Sequence, residues 1–159
     1  MTAQAQNKIT DAEWEVMRVV WSNKQVTSRE IISVLEDKMN WKQATIKTLI
    51  GRLVDKGLLK TEPQGNKFLY TAKVSEEESV RDVTENMLAH VCSRKVGSTI
   101  AELIDQALLS HADVKLLEEA LAKKKVTAVD EVKCNCTPGQ CNCKHKHQQH
   151  HKKHYRVEE

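Results

Sequence analysis

Apolar positions recur at helical spacing along most of this chain, with one change of rhythm before they run out. Trp14, Met17, Val20 and Trp21 form a first stripe that runs out near residue 22. Side chains three and four apart share one face of a helix, so the spacing predicts a helix there. Thr10-Asp-Ala-Glu13 announces it: the Thr10 oxygen is placed to accept a backbone N–H while Glu13 reaches back, a reciprocal capping box. The same signal at Thr27-Ser-Arg-Glu30 precedes Ile31, Ile32, Leu35 and Met39, a second short helix. A third is predicted from Trp41 or Lys42 to Lys56, with Ile46, Leu49, Ile50 and Leu53 at i, i+3, i+4 and i+7 and Gly57 where a left-handed cap belongs. Leu58 to Glu62 and Lys67 to Thr71 then flank Pro63-Gln-Gly-Asn66, which reads as two short strands around a turn. Three helices followed by a hairpin is the order of a winged helix-turn-helix, whose first strand would be little more than Gln25-Val26-Thr27.

Helical spacing resumes after residue 72, where Ser75-Glu-Glu-Glu78 carries another capping signal. Val80, Val83, Met87, Leu88 and Val91 make one stripe; Ile100, Leu103, Ile104, Ala107 and Leu108 a second; Val114, Leu117, Ala120 and Leu121 a third. About 50 residues are too few to bury three such faces well, so association with a second copy is expected. From Lys123 the periodicity fails. The chain is therefore expected to be mainly α, with a winged helix-turn-helix DNA-binding domain at residues 1–72, a small helical dimerisation domain at 73–126 and a flexible Cys-rich tail with a basic, His-rich end at 127–159.

Composition fits that outline. With 159 residues, 40% of them hydrophobic, the chain holds one ordinary domain or two small ones and leaves little room for a large enzyme. No nucleophile–base constellation appears, so no catalytic residue is assigned. The polar start and the absence of a long apolar run exclude an export signal and a membrane span, which points to the cytoplasm. Charge is unevenly spread: Lys38, Lys42, Lys47, Arg52, Lys56, Lys60 and Lys67 face only Asp55 and Glu62 between residues 38 and 71. Such a patch attracts phosphate.

Placed about 100° apart along the third helix, Ile46, Leu49, Ile50 and Leu53 fall on one side and Ala44, Thr48, Gly51 and Asp55 on the other, with Lys47 and Arg52 at the flanks and Thr45 beside them. A small, polar, basic-edged face suits a major groove, where Thr can touch a thymine methyl and Arg or Lys a guanine or a phosphate. Thr45, Lys47, Thr48 and Arg52, with Lys42 and Lys67 beside them, are the candidate contacts to double-stranded operator DNA. The segments at 12–21 and 41–59 and the hairpin are similar to the penicillinase-repressor (BlaI/MecI-like) winged helices, through the pattern Trp-x3-Thr-x2-Thr-Leu-x2-Arg-Leu that begins at Trp41. The resemblance spans about residues 8–125. It implies a homodimer on a pseudo-palindromic operator, with Thr45, Lys47, Thr48 and Arg52 on the recognition helix.

The most specific chemistry lies in the tail, Cys134-Asn-Cys136-Thr-Pro-Gly-Gln-Cys141-Asn-Cys143. Alternate cysteines let two sulfurs of each pair point at one centre, and Pro138-Gly139 lets the pairs face each other. Thiolates select Zn(II) and Cu(I); a tetrahedral four-sulfur cage suits zinc, whereas Cu(I) takes fewer ligands and bridges between sulfurs. A cytosolic copper buffer or a thiol redox switch are the other readings of the cluster, and a buffer leaves the basic helix and hairpin without a role. On this winged helix the motif resembles the copper-responsive CopY-type branch. That resemblance implies that zinc-loaded protein holds DNA and that Cu(I) displaces zinc and releases it to induce copper export. A copper chaperone that delivers Cu(I) is a further candidate partner. His145, His147, His150, His151 and His154 are read as part of a flexible basic end, not as a second metal site. Cys92 is read as a small buried side chain.

Overall fold

A computed structural model describes residues 8–143. Along them run α1 (Asp11–Ser22), β1 (Val26–Thr27), α2 (Ser28–Met39), α3 (Gln43–Asp55), β2 (Leu59–Gln64), β3 (Lys67–Ala72), α4 (Glu76–Ala89), a 3-10 turn at Ser93–Lys95, α5 (Val96–Gln106) and α6 (His111–Thr127). The chain divides into two compact units, Met1–Val83 and Thr84–Glu159, so the division falls inside α4. The fold is mostly helical, and its first unit is a winged helix. Among the described residues no helix is long and apolar enough to cross a membrane.

The first unit is assembled from locally encoded stops and starts. Both capping boxes form: Thr10 with Glu13 at the start of α1, and Thr27 with Glu30 at the start of α2. Each satisfies backbone donors that a helix start leaves orphaned. Asn40 closes α2 in the left-handed region, at φ 54°. At the end of α3, Gly57 (φ 73°) donates its N–H to the Val54 carbonyl and Leu58 donates to Leu53 O, the paired bonds of a Schellman stop. That stop turns the chain directly into β2. The sheet order is β1-β3-β2, antiparallel throughout, with Val26 opposite Tyr70 and Leu59 opposite Ala72.

The hairpin is longer than the residue pattern predicts. Pro63 and Gln64 belong to β2, opposite Phe68 and Lys67, so the turn shrinks to Gly65 and Asn66. Proline lacks the N–H that an inner strand needs, but β2 lies at the sheet edge, where that loss is tolerated. Gly65 takes the first turn position at φ 59°, which a side-chain-bearing residue rarely adopts.

Val16, Met17, Val20, Ile31, Leu35, Ile46 and Leu53 are sealed from solvent, and Val26, Leu58 and Leu59 close the core from the sheet side. Trp14 and Trp21 pack edge to face with ring centroids 5.3 Å apart, and the Trp21 indole N–H donates to Val74 O at 2.9 Å. Among the described residues of this unit one charge is buried: Glu13, 1% exposed, accepts from Lys56 Nζ at 2.6 Å.

The second unit is built differently. Ser110 and Asp113 form a capping box that starts α6, yet its helices bury almost nothing. Among residues 84–143 the single buried hydrophobic side chain is Cys92. Met87, Ile100, Leu103, Val114 and Leu121 all remain exposed, Leu103 by 44%. Three helices with their apolar faces in water are the pattern of an unpartnered interface. Two expectations need correction here. Helix α6 continues past Lys123 to Thr127, because Ala122 and three lysines favour helix without an apolar stripe. Helix α5 stops at Gln106, leaving Ala107 and Leu108 of the second stripe beyond its end.

Candidate functional site

Helix α3 turns Ile46, Leu49, Ile50 and Leu53 into the core. The same rotation leaves Thr45, Lys47, Thr48 and Arg52 exposed, with Lys42 at the helix start and Lys67 at the start of β3 exposed as well. No acidic side chain lies in the first turn of α3, and its N-cap residue Lys42 makes no side-chain cap. No carboxylate therefore offsets the positive end of the helix dipole. Thr48 Oγ1 donates to Ala44 O at 2.9 Å, which commits its hydroxyl proton to the helix and leaves its methyl and an acceptor lone pair for a partner. Among the described residues no carboxylate lies within salt-bridge distance of Lys42, Lys47, Arg52 or Lys67.

The second candidate lies in the second unit and is made of sulfur. Residues 130–143 contain no helix or strand. One turn bends them: Gln140 N–H donates to Thr137 O at 3.0 Å, Thr137 N–H donates to the Gln140 amide oxygen at 3.1 Å, and Gly139 sits at φ 90°. This is the Pro138-Gly139 reversal that the cysteine spacing needs. It brings Cys134 Sγ to 3.4 Å from Cys141 Sγ.

The loop is also fastened to the corner after α4. Ser93 N–H donates to Asn135 Oδ1 at 3.0 Å, the Ser93 hydroxyl donates to Lys133 O, and Arg94 pairs with Glu131 at 3.3 Å. At that corner Cys92 Sγ lies 3.6 Å from both Cys134 Sγ and Cys143 Sγ. The sulfurs of Cys92, Cys134, Cys136 and Cys141 all fall within 4.8 Å of one another. All five cysteines are free thiols; the separations exceed the roughly 2.05 Å of a disulfide. A tetrahedral zinc site with Zn–S of about 2.3 Å has S···S edges near 3.8 Å. The sulfurs therefore fit a soft metal ion with little rearrangement.

Their acidities are split. Cys92 is lowered to about 7, first by the Arg94 backbone N–H and, against the opposing effect of burial, by the neighbouring thiols of Cys134, Cys143 and Cys136. Cys141 is also lowered, chiefly by the Cys143 backbone N–H. Burial, with donation to the sulfurs around it, pushes Cys136 up to about 12; donation to Cys141 and Cys92 does the same to Cys143. Without metal, Cys136 and Cys143 thus keep their protons at neutral pH, while Cys92 and Cys141 give theirs up more readily. Metal ligation needs thiolates, so a bound cation would displace those protons.

Cys134, Cys136, Cys141 and Cys143, the four sulfurs singled out by spacing, are drawn to one place. Cys92 joins them, although its sequence context marks it only as a small buried residue. The one hint available was a lone cysteine at the end of a helical stripe; nothing local reveals a neighbour 42 residues away. The histidines of the basic end lie outside the described residues.

Residues 9–123 match the penicillinase repressor family profile, a span that ends short of Cys134. The chain is 50% identical to an uncharacterized 16.5 kDa protein from the ptsI 3' region of Latilactobacillus sakei, over 89% of this chain and 97% of that one. It is 28% identical to the penicillinase repressor of Bacillus licheniformis, over 74% of this chain and 92% of that one. Among solved structures, the CopR repressor structure aligns at 41% identity and a TM-score of 0.38, covering 43% of this chain and 99% of that one.

Proposed function

The chain belongs to the penicillinase repressor family of DNA-binding transcriptional repressors, and from that premise we propose that it is a copper-responsive member whose DNA binding is set by the metal on its cysteine cluster. The reading assigns residues 1–72 to DNA binding, 73–126 to dimerisation and 127–159 to sensing. Thr45, Lys47, Thr48 and Arg52 would enter the major groove, with Lys42 and Lys67 on phosphates. The exposed stripes of α4, α5 and α6 would pair with a second copy, so that two α3 helices meet two half-sites of a pseudo-palindromic operator.

The observation that carries the sensing part is the thiol cluster, with its sulfurs at the spacing of a thiolate metal site. The cluster to which Cys134, Cys136, Cys141 and Cys143 belong would hold Zn(II) in the DNA-bound form. Cu(I) is softer, binds thiolate more tightly and favours lower coordination, so it would take the same sulfurs in a different arrangement. A switch of this kind requires the two metals to stabilise the DNA-competent state unequally. We place that difference in how each metal holds the tail against the helical unit.

Replacing Cys134, Cys136, Cys141 and Cys143 together by serine tests the proposal. The duplex is one selected from random sequence by the zinc-loaded wild type. Zinc should strengthen wild-type binding to it and leave the serine variant unchanged, because hydroxyl oxygen does not replace thiolate for Zn(II) or Cu(I). A serine variant that still tightens with zinc and leaves DNA with Cu(I) would remove the cluster from the mechanism. Release by oxidant alone, with no metal effect, would make it a redox switch instead.

A further inference from the structure

We propose that Cys92 is itself a metal ligand, so that a four-coordinate divalent ion is held by Cys92, Cys134, Cys136 and Cys141, with Cys143 as the sulfur left over. The proposal rests on the metal-sensing reading above and names the ligand set of that same site. Three observations carry it. Cys92 is nine-tenths buried, yet its sulfur is turned toward other sulfurs, at 3.6 Å from Cys134 and from Cys143. The four sulfurs that lie mutually within 4.8 Å include Cys92 and not Cys143. The backbone around Cys92 is built to hold the tail: Ser93 binds it through both its N–H and its hydroxyl, to Asn135 and Lys133, and Arg94 pairs with Glu131.

The consequence is mechanical. A site made of tail residues alone would order about ten residues and nothing else. With Cys92 as a ligand, the metal cross-links the tail to the start of the 3-10 turn that leads into α5. Metal identity then acts directly on the helical unit, whose exposed faces are the proposed dimer surface. Cys143, 3.6 Å from Cys92, is the sulfur available to bridge when the smaller coordination number of Cu(I) rearranges the set.

The test uses the full-length protein and Cd(II), a thiolate-seeking divalent probe visible by magnetic resonance as cadmium-113. Proton–cadmium couplings in the wild type should appear at the β-protons of Cys92, Cys134, Cys136 and Cys141. Separately, Cys92→Ser should weaken cadmium binding by more than about 100-fold, beyond the 10–100-fold typical of losing an outer-shell partner. Cys143→Ser should weaken it less. The wild-type couplings decide the matter even if Cys92→Ser folds poorly. Cadmium bound with couplings at the four tail cysteines and none at Cys92 would overturn the inference while leaving the metal-sensing reading intact. A wild type that binds no cadmium would overturn both.

Discussion

Lys56, one residue beyond the end of α3, donates to the Glu13 carboxylate at 2.6 Å and to the Lys8 carbonyl at 2.9 Å, tying the end of the DNA-facing helix to the start of α1. Glu13 also receives the Thr10 backbone N–H at 2.9 Å, so one carboxylate caps α1 and anchors α3. Burial raises the Glu13 pKa, but the Lys56 hydrogen bond and charge together with Thr10 outweigh it and hold the carboxyl below its ordinary value.

A group whose pKa is depressed by folding contributes stability that is fully present above its unfolded value, here about 4.5, and lost as pH falls through the folded value. In urea unfolding, wild type should exceed Glu13→Gln by its full margin at neutral pH, and the margin should shrink steadily below about pH 4.5. Lys56→Met should cost about 3 kcal/mol at neutral pH. That is the low end for breaking a buried pair, because Lys56 keeps part of its hydration at 25% side-chain exposure. A margin independent of pH would mean that Glu13 is not charged in the folded protein.

Arg52→Ala should leave thermal stability unchanged, since Arg52 is exposed and lies outside the buried face of α3. Binding to the selected duplex should fall by about 1–3 kcal/mol, with relaxed preference at one base pair, while binding to random duplex changes less. An equal loss on both would reassign Arg52 to phosphate; no loss on either would remove it from the interface.

Much of the first unit was legible because its signals are local. The capping boxes at Thr10 and Thr27 and the glycine stop at Gly57 are read within a few residues and form as expected. The misplaced features depend on distant partners or on the lack of them. Pro63 reads as a turn residue until the sheet order puts β2 at an edge. The end of α6 is set by helix propensity after the apolar stripe has ended. Cys92 is silent for the same reason in its strongest form, because its neighbours at Cys134 and Cys143 meet it only in three dimensions.

Leu103→Glu should convert the protein from dimer to monomer in sedimentation velocity. Its side chain is 44% exposed on a helix that buries no residue of its own. A monomer offers one recognition helix per molecule, so affinity for a two-half-site duplex should fall by about 10²–10⁴-fold while affinity for a single half-site is kept. A wild type that sediments as a monomer at micromolar concentration would contradict the dimer.

Control of DNA binding by the metal on the cysteine cluster is open to a single titration. Zinc-loaded wild-type protein is bound to the fluorescently labelled selected duplex, and Cu(I) is added anaerobically as a soluble complex while anisotropy and free zinc are followed together. Zinc should appear in solution as anisotropy falls to that of free DNA, both saturating at the same copper equivalence. Zinc displaced with the protein still bound, or DNA released with zinc retained, would contradict it.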